Sequence, residues 1–221
     1  MAPTIDADSH ATQAARPAHR PSRRSEIVAA AVAEFADTGL ASATIADVAR
    51  RAGMTPAAVY YHFPTREELI VEVVRQIGAK VEADAKRPRD EGLQGTGLFG
   101  AIYDDYERWV LEHPGEARIL WVDAVGLSPV VEAARRQTVI AIVENTVDLL
   151  VGTGFVVDET AAEMTALALV TLTLAAMELK FRTDGPVPSK AQLRKAVEYV
   201  GQRLLGGERL GHLPAGARRG G

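Results

Sequence analysis

"TPAAVYYHFPTREEL", running from Thr55 to Leu69, sets two adjacent tyrosines and a histidine between a threonine-proline start and a second proline. Neighbours on a helix lie about 100° apart, so Tyr60 and Tyr61 cannot both face a core. Thr55 followed by Pro56 predicts a helix start, with a side-chain acceptor for a free N–H and a proline where the missing N–H does no harm. The helix must end by Phe63, because Pro64 disfavours helical geometry in the residue before it. On the helical wheel Phe63 falls beside Val59, while Tyr61 lies almost opposite, next to Ala57 and Ala58. Tyr60 and His62 flank that outward face. The stretch therefore predicts a short helix that buries Val59 and Phe63. It offers a partner small residues at one end and phenol and imidazole groups further along.

The flanking sequence extends this reading. Upstream, Ile27, Ala30, Ala31, Glu34 and Phe35 mark a helix from Ser25 that closes at Gly39. Thr44 with Asp47 three residues on is close to a capping box, and the helix it opens turns Val48, Ala49 and Ala52 inward before Gly53. Downstream, Thr65 with Glu68 opens a long helix through Leu69, Val73, Val74 and Ile77 to about Ala85. Two helices of under ten residues joined at Gly53-Met54 match a helix-turn-helix. In that motif the second helix enters the major groove of DNA, where small residues allow close approach to base edges and hydroxyl or imidazole groups reach phosphates.

Beyond the breaker-rich "PRDEGLQGTG", helical periodicity resumes and persists. Phe99, Ile102, Tyr103, Tyr106 and Val110 form one stripe, and "GEARILWVDAVGL" follows Pro114. Helices are predicted over 130–150, 159–181 and 191–205, the second apolar nearly all round, as a helix buried on several sides would be. No alternating strand pattern of useful length is present, so the fold class is all-α. Four segments are expected. Residues 1–20 form a disordered arm, 21–66 a three-helix helix-turn-helix domain, 67–207 a helical body, and 208–221 a flexible tail.

Composition excludes several functions. A hydrophobic fraction of 47% over 221 residues suits a globular protein with a sizeable core. The net charge of -4 gives no global attraction to nucleic acid, yet residues 16–66 carry seven arginines against four acids. With no cysteine there is no disulfide, thiol switch or thiolate metal site, which fits a reducing cytosol. The N-terminus lacks the apolar run of a secretory signal, and the uncharged stretch between Glu163 and Glu178 falls short of the ~20 residues of a membrane span. A cytoplasmic protein with no membrane association is expected. The histidines at 10, 19, 62, 113 and 212 lack ligand spacing, so no metal and no cofactor is expected. "GTGLFG" (95–100) fits a dinucleotide pattern without the preceding strand and reads as linker. Asp104, Asp105 and Glu107 read as a solvated face, and no catalytic residue is assigned.

"RRSEIVAAAVAEFADTGLASA" followed by "TIADVARRAGMTPAAVYYHFPTREELI" resembles the DNA-binding domain of the TetR family of bacterial transcriptional regulators over roughly residues 23–72. The resemblance implies phosphate contacts from Thr44, Tyr60, His62 and Arg66, with Tyr61 near the DNA backbone. It gives base readout to Thr55, Pro56, Ala57 and Ala58. Only Thr55 among these is polar, and Ala46 stands where some relatives carry a base-reading arginine. Three sources of specificity remain open: thymine methyl contacts, DNA shape, and insertion of Arg16, Arg20, Arg23 and Arg24 into a minor groove.

The resemblance also implies a C-terminal ligand-binding and dimerisation domain with an effector cavity bordered by the helices that carry most of the remaining aromatics. Tyr103, Tyr106, Trp109, Trp121, Asn145 and Met177 are the candidate ligand residues, against the alternative that they are ordinary core. Asn145 shares a face with Ala141 and Ile142, and either a ligand or a backbone carbonyl would satisfy its amide. The expected protein is a repressor that binds double-stranded operator DNA and is released by a small, largely apolar or aromatic effector. It would form a homodimer through the 159–181 and 191–205 helices. An activator, a ligand-independent DNA-binding protein and a helical enzyme are the rival readings. A body cavity of a few hundred Å3 favours an effector, and a solid body favours a ligand-independent protein.

Overall fold

The computed structural model describes residues 22–85, 96–152, 159–181 and 188–206. The predicted arm 1–20 and tail 208–221 lie outside these residues. Ser22 Oγ accepts the Ser25 N–H at 3.2 Å and opens α1 (Arg23–Thr38), which turns Ile27, Ala31 and Phe35 into the core. Thr44 and Asp47 form a full capping box at the start of α2 (Ile45–Arg51). Thr55 Oγ1 takes the Ala58 N–H at 3.2 Å ahead of α3 (Pro56–His62). Between α2 and α3 the chain reverses at Gly53, whose φ of 65° is a left-handed conformation that side chains disfavour. Val59 and Phe63 are almost fully buried against α1 and α2, each such burial contributing roughly 1.5–3 kcal/mol. Thr65 Oγ1 then accepts the Glu68 N–H at 3.1 Å at the head of α4 (Arg66–Ala85).

The body continues with α5 (Thr96–Glu112), α6 (Pro114–Arg118), a π-helical turn (Ile119–Asp123), α7 (Pro129–Gly152), α8 (Glu159–Phe181) and α9 (Lys190–Gly206). All regular elements among the described residues are helical. α4 packs on α7, α7 on α8, and α5 with α8 on α9, around a core that includes Phe99, Ile119, Leu120, Leu150 and Val197.

Two expectations are corrected. The "GTGLFG" stretch is not a linker, since α5 begins at Thr96 and runs through it. Leu98 and Phe99 are buried there, and packing of the first turn overrides the low helix propensity of its glycines. Glu107 does not face solvent. It is 2% exposed, and Lys190 of α9 lies 2.6 Å from its carboxylate, so the pair ties α9 to α5.

The head, α1–α3, meets the helical body at two places. α4 belongs to both, and α6 touches α1 directly. A Cβ on Gly115 would lie 2.4 Å from the Ala36 Cβ, so only glycine allows these helices so close. Beside this contact, Glu116 is ion-paired with Lys80 of α4 and lies 3.0 Å from His113 Nδ1.

Candidate nucleic-acid interface and effector cleft

α3 buries one side and exposes the other. Tyr61 is 85% exposed and Tyr60 48%, while Thr55, Pro56 and Ala57 face solvent and Ala58 and His62 are half-buried. Thr44 and Ala46 of α2 are exposed as well. The outward surface thus runs from Thr44 across the small residues of α3 to its two tyrosines. Thr55 keeps a hydroxyl proton to donate after accepting the Ala58 N–H.

The positive charge around this surface is less available than the sequence count suggests. Arg51 bonds Glu34 at 2.7 Å and Asp37 at 2.6 Å, and Arg50 bonds Asp47 at 2.7 Å. Hydrogen bonds from Thr44, then Arg50, hold the Asp47 carboxyl below the usual carboxylate range. Arg66, expected at a phosphate, turns inward instead. Its guanidinium donates to the Leu40 and Ala43 carbonyls and pins the α1–α2 turn to α4. Arg24, expected in the minor groove, is likewise occupied. It donates to the His62 carbonyl at 3.1 Å and to Glu72 at 2.9 Å, and it stacks 4.2 Å over the Phe63 ring. Arg24 thereby fastens the end of α3 to α4. Arg23 stays exposed and lies 3.7 Å from Glu26. Arg16 and Arg20 lie outside the described residues.

In the body, a cleft opens between α4, α5, α7 and α8. Tyr106, Trp109 and Asn145 line it, and Trp121 packs behind Tyr106 with ring centroids 6.3 Å apart. Tyr103 does not line the cleft. It is fully buried elsewhere on α5, where burial and the nearby Glu107 and Asp104 carboxylates push its phenol up to about 12. The side chain of Met177 lies outside the described residues. Asp84, Thr146, Val170 and Thr173 also line the cleft and were not singled out from the sequence. Thr173 left one trace, as one of two hydroxyls, with Thr171, in the otherwise apolar run "LVTLTLAA".

Counting its solvent-open mouth, the cleft encloses about 590 Å3, yet only about 30 Å3 of that admits the centre of a water molecule. That is room for one or two waters and not for a ring-sized ligand. The expectation of a wide cavity is therefore corrected: the aromatic side chains fill most of the space themselves, and on size alone this filled body favours the ligand-independent reading. The chemistry of the walls is nevertheless unusual. Tyr106 Oη, Asn145 Nδ2 and Thr173 Oγ1 are buried without a hydrogen-bond partner. Such groups are rare in protein interiors, and each costs about 1–3 kcal/mol. Burial pushes the Tyr106 phenol upward, so it stays protonated. Trp121 Nε1, behind the cleft, is also unpartnered. Asp105 at the cleft accepts from Arg108 at 2.8 Å.

The cleft and α3 are joined by the chain itself. α4 carries Val81 and Asp84 in the cleft and Glu72 on Arg24, about 18 Å apart at 1.5 Å per residue. On α5, Trp109 contacts His113 with ring centroids 5.3 Å apart, which leads to Glu116 and the Gly115–Ala36 contact.

Residues 27–73 match the profile described as bacterial regulatory proteins, tetR family. Over 59 residues the chain is 39% identical to the HTH-type transcriptional repressor KstR2 of Mycolicibacterium smegmatis, covering 27% of this chain and 29% of that protein. Over 65 residues it is 34% identical to the HTH-type transcriptional regulator BetI of Rhizobium meliloti, covering 29% of this chain and 32% of the relative. The matched part thus spans under a third of each relative, and both relatives are transcriptional regulators, not enzymes. A transcriptional regulator from Rhodococcus sp. Rha1 superposes with a TM-score of 0.63 at 23% identity, over 84% of this chain and 97% of that one. The multidrug binding protein EbrR, complexed with imidazole, superposes at 0.59 and 22% identity, over 91% of this chain and 100% of that one. The whole described fold is therefore shared with these structures. Among the described residues no helix is long and apolar enough to cross a membrane, and no group of side chains could hold a metal ion.

Proposed function

We propose that the chain, whose residues 27–73 match the tetR family of bacterial regulatory proteins, is a cytoplasmic repressor of that family that binds operator DNA as a homodimer and is released by a small, largely apolar ligand. The observation that carries the DNA reading is the outward face of α3, where Tyr60 and Tyr61 stand exposed on a helix capped at Thr55 and anchored by Val59 and Phe63. Tyr60, His62 and Thr44 contact phosphates, Tyr61 lies along the backbone, and Thr55 with Pro56, Ala57 and Ala58 meets the base edges. Arg66 and Arg24 act behind this surface by holding α3 and the α1–α2 turn in place.

Dimerisation uses the outer face of α8, where Met164 and Leu167 are 68% and 56% exposed, together with α9. A two-fold assembly sets the two α3 helices about 34–36 Å apart, one turn of DNA. A ligand wedged into the cleft separates α4 from α5 and α7. The shift passes along α4 to Glu72 and Arg24, and through α5 to the α6–α1 contact, so the two α3 helices lose their spacing. The ligand acts only by as much as it prefers this opened state, and a coupling of about 1–3 kcal/mol corresponds to roughly 5–150-fold in operator affinity.

Footprinting the protein on the DNA upstream of its own gene tests this reading. Two protected half-sites one helical turn apart are expected, with protection lost when an effector from a metabolite library is added. A Leu167→Glu variant should be monomeric in sedimentation and should lose the footprint. Protection of a single half-site by a monomer would overturn the dimer. Protection that no compound relieves would favour a ligand-independent protein.

A further inference from the structure

The proposed effector is so far defined only as small and largely apolar, and the walls of the cleft define it further. Three unpartnered polar atoms line it: Tyr106 Oη, Asn145 Nδ2 and Thr173 Oγ1. All three can donate a hydrogen bond, and the amide nitrogen can only donate. Tyr106 and Thr173 are 9% and 2% exposed. Thr146 is different, since its hydroxyl donates to the Ile142 carbonyl at 2.8 Å. The donors therefore need an acceptor, and none of the described residues supplies one.

The charge of that acceptor follows from the remaining lining residues. No lysine, arginine or histidine is among them, while Asp84 and Asp105 are. A carboxylate or phosphate ligand would be desolvated without a cation beside it and would face two acids, which is strongly unfavourable. A cationic amine has no acceptor to offer the Asn145 Nδ2, which can only donate, and both aspartates already have interactions of their own. Ile102, Ile142, Val170 and Trp109 supply an apolar remainder.

Resting on the reading of this cleft as the effector site, we infer that its ligand is a neutral, mainly hydrocarbon molecule carrying an oxygen acceptor, of the ketone, ester or lactone class. The oxygen takes hydrogen bonds from Thr173 and Asn145, with the Tyr106 hydroxyl in the same cleft, and the ring or chain lies against Trp109 and the aliphatic residues. Binding then relieves groups that are buried unsatisfied, which supplies the preference for the opened, occupied body that release from DNA requires.

Calorimetric titration of the full chain with four matched probes tests this: acetophenone, ethylbenzene, benzoate and benzylammonium. Acetophenone is expected to bind at least tenfold tighter than ethylbenzene, with benzoate and benzylammonium weaker than either. In Thr173→Val and Asn145→Leu, acetophenone should fall toward the ethylbenzene level while ethylbenzene changes by less than about threefold. Circular dichroism should show native helicity in both variants. Equal affinity for acetophenone and ethylbenzene in the native protein would overturn the acceptor and leave the effector cleft standing. Tightest binding of benzylammonium would overturn it in favour of a cation. No heat from any of the four would overturn both the ligand class and the effector reading.

Discussion

The head and the cleft use the same chemical groups in opposite ways. In the head, Ser22, Thr44, Thr55 and Thr65 each turn a hydroxyl back onto a backbone N–H within three residues. In the cleft, the Thr173 hydroxyl, the Tyr106 phenol and the Asn145 amide are buried with no partner. The first arrangement satisfies each group locally and holds α3 in one pose before any partner arrives. The second leaves free energy to be recovered by whatever supplies an acceptor. A DNA-reading surface gains from rigidity, whereas a switch needs an interior that a small molecule can stabilise in a different arrangement.

The largest expected effect lies in the head. Phe63→Ala should destabilise it by about 3–5 kcal/mol, because the ring is buried beneath α3 and carries Arg24 on its face. Hydrogen exchange should show protection lost in α1–α3 first, with α7 and α8 changed little. Uniform loss along the whole chain would mean that head and body unfold as one unit.

The sharpest contrast comes from removing a hydroxyl on each side. Thr173→Val should stabilise the protein, by up to about 1–3 kcal/mol, since it deletes an unsatisfied buried group at nearly constant shape. Thr44→Ala should destabilise it by about 1 kcal/mol through loss of the capping box. Urea denaturation of both variants reads the two signs directly. A destabilised Thr173→Val would mean that its hydroxyl is satisfied in solution, and the contrast would fail.

These differences also explain what could be read in advance. Caps are local in sequence, so Thr44, Thr55 and Thr65 announced their helices, and the spacing of Val59 and Phe63 gave the buried side of α3. The inward turn of Arg66 and the clamp of Arg24 were not legible, because their partners, Leu40 and Ala43 for one and His62 and Glu72 for the other, lie 23 to 48 residues away. In the body, Tyr106, Trp109 and Asn145 were singled out as aromatics and a buried amide, and they do share one cleft. Thr173 and Asp84 were missed, since only tertiary packing brings α8 and the end of α4 to that place. The filled state of the cleft was also hidden, for volume is a property of packing and not of composition.

A smaller effect sharpens the comparison at the edge of the body. Glu132 accepts from both arms of Arg135, at 2.9 and 2.7 Å, and from the Gly126 N–H at 3.3 Å. Arg135 chiefly, with the Gly126 N–H, lowers its carboxyl to about 2 from 4.5. A depressed acid stabilises the fold above its unfolded pKa and loses that contribution as pH falls through the folded value. Native protein should therefore exceed Glu132→Gln in thermal stability near neutral pH, and the gap should close between about 4.5 and about 2. A constant gap over that range would show that the Glu132 charge is not what matters.

The central claim is that the outward face of α3 binds DNA, and operator affinity tests it most directly. Fluorescence anisotropy on the footprinted duplex should be measured for native protein and for Thr55→Ala/Tyr60→Phe, with both confirmed as folded dimers. The native protein should bind with an affinity that falls steeply as salt is raised, because phosphate contacts release counterions. The double variant should bind at least tenfold more weakly, from the loss of a phosphate bond and a base contact worth roughly 1–3 kcal/mol. A folded, dimeric double variant that binds as tightly as the native protein would contradict the assignment of α3 as the reading helix.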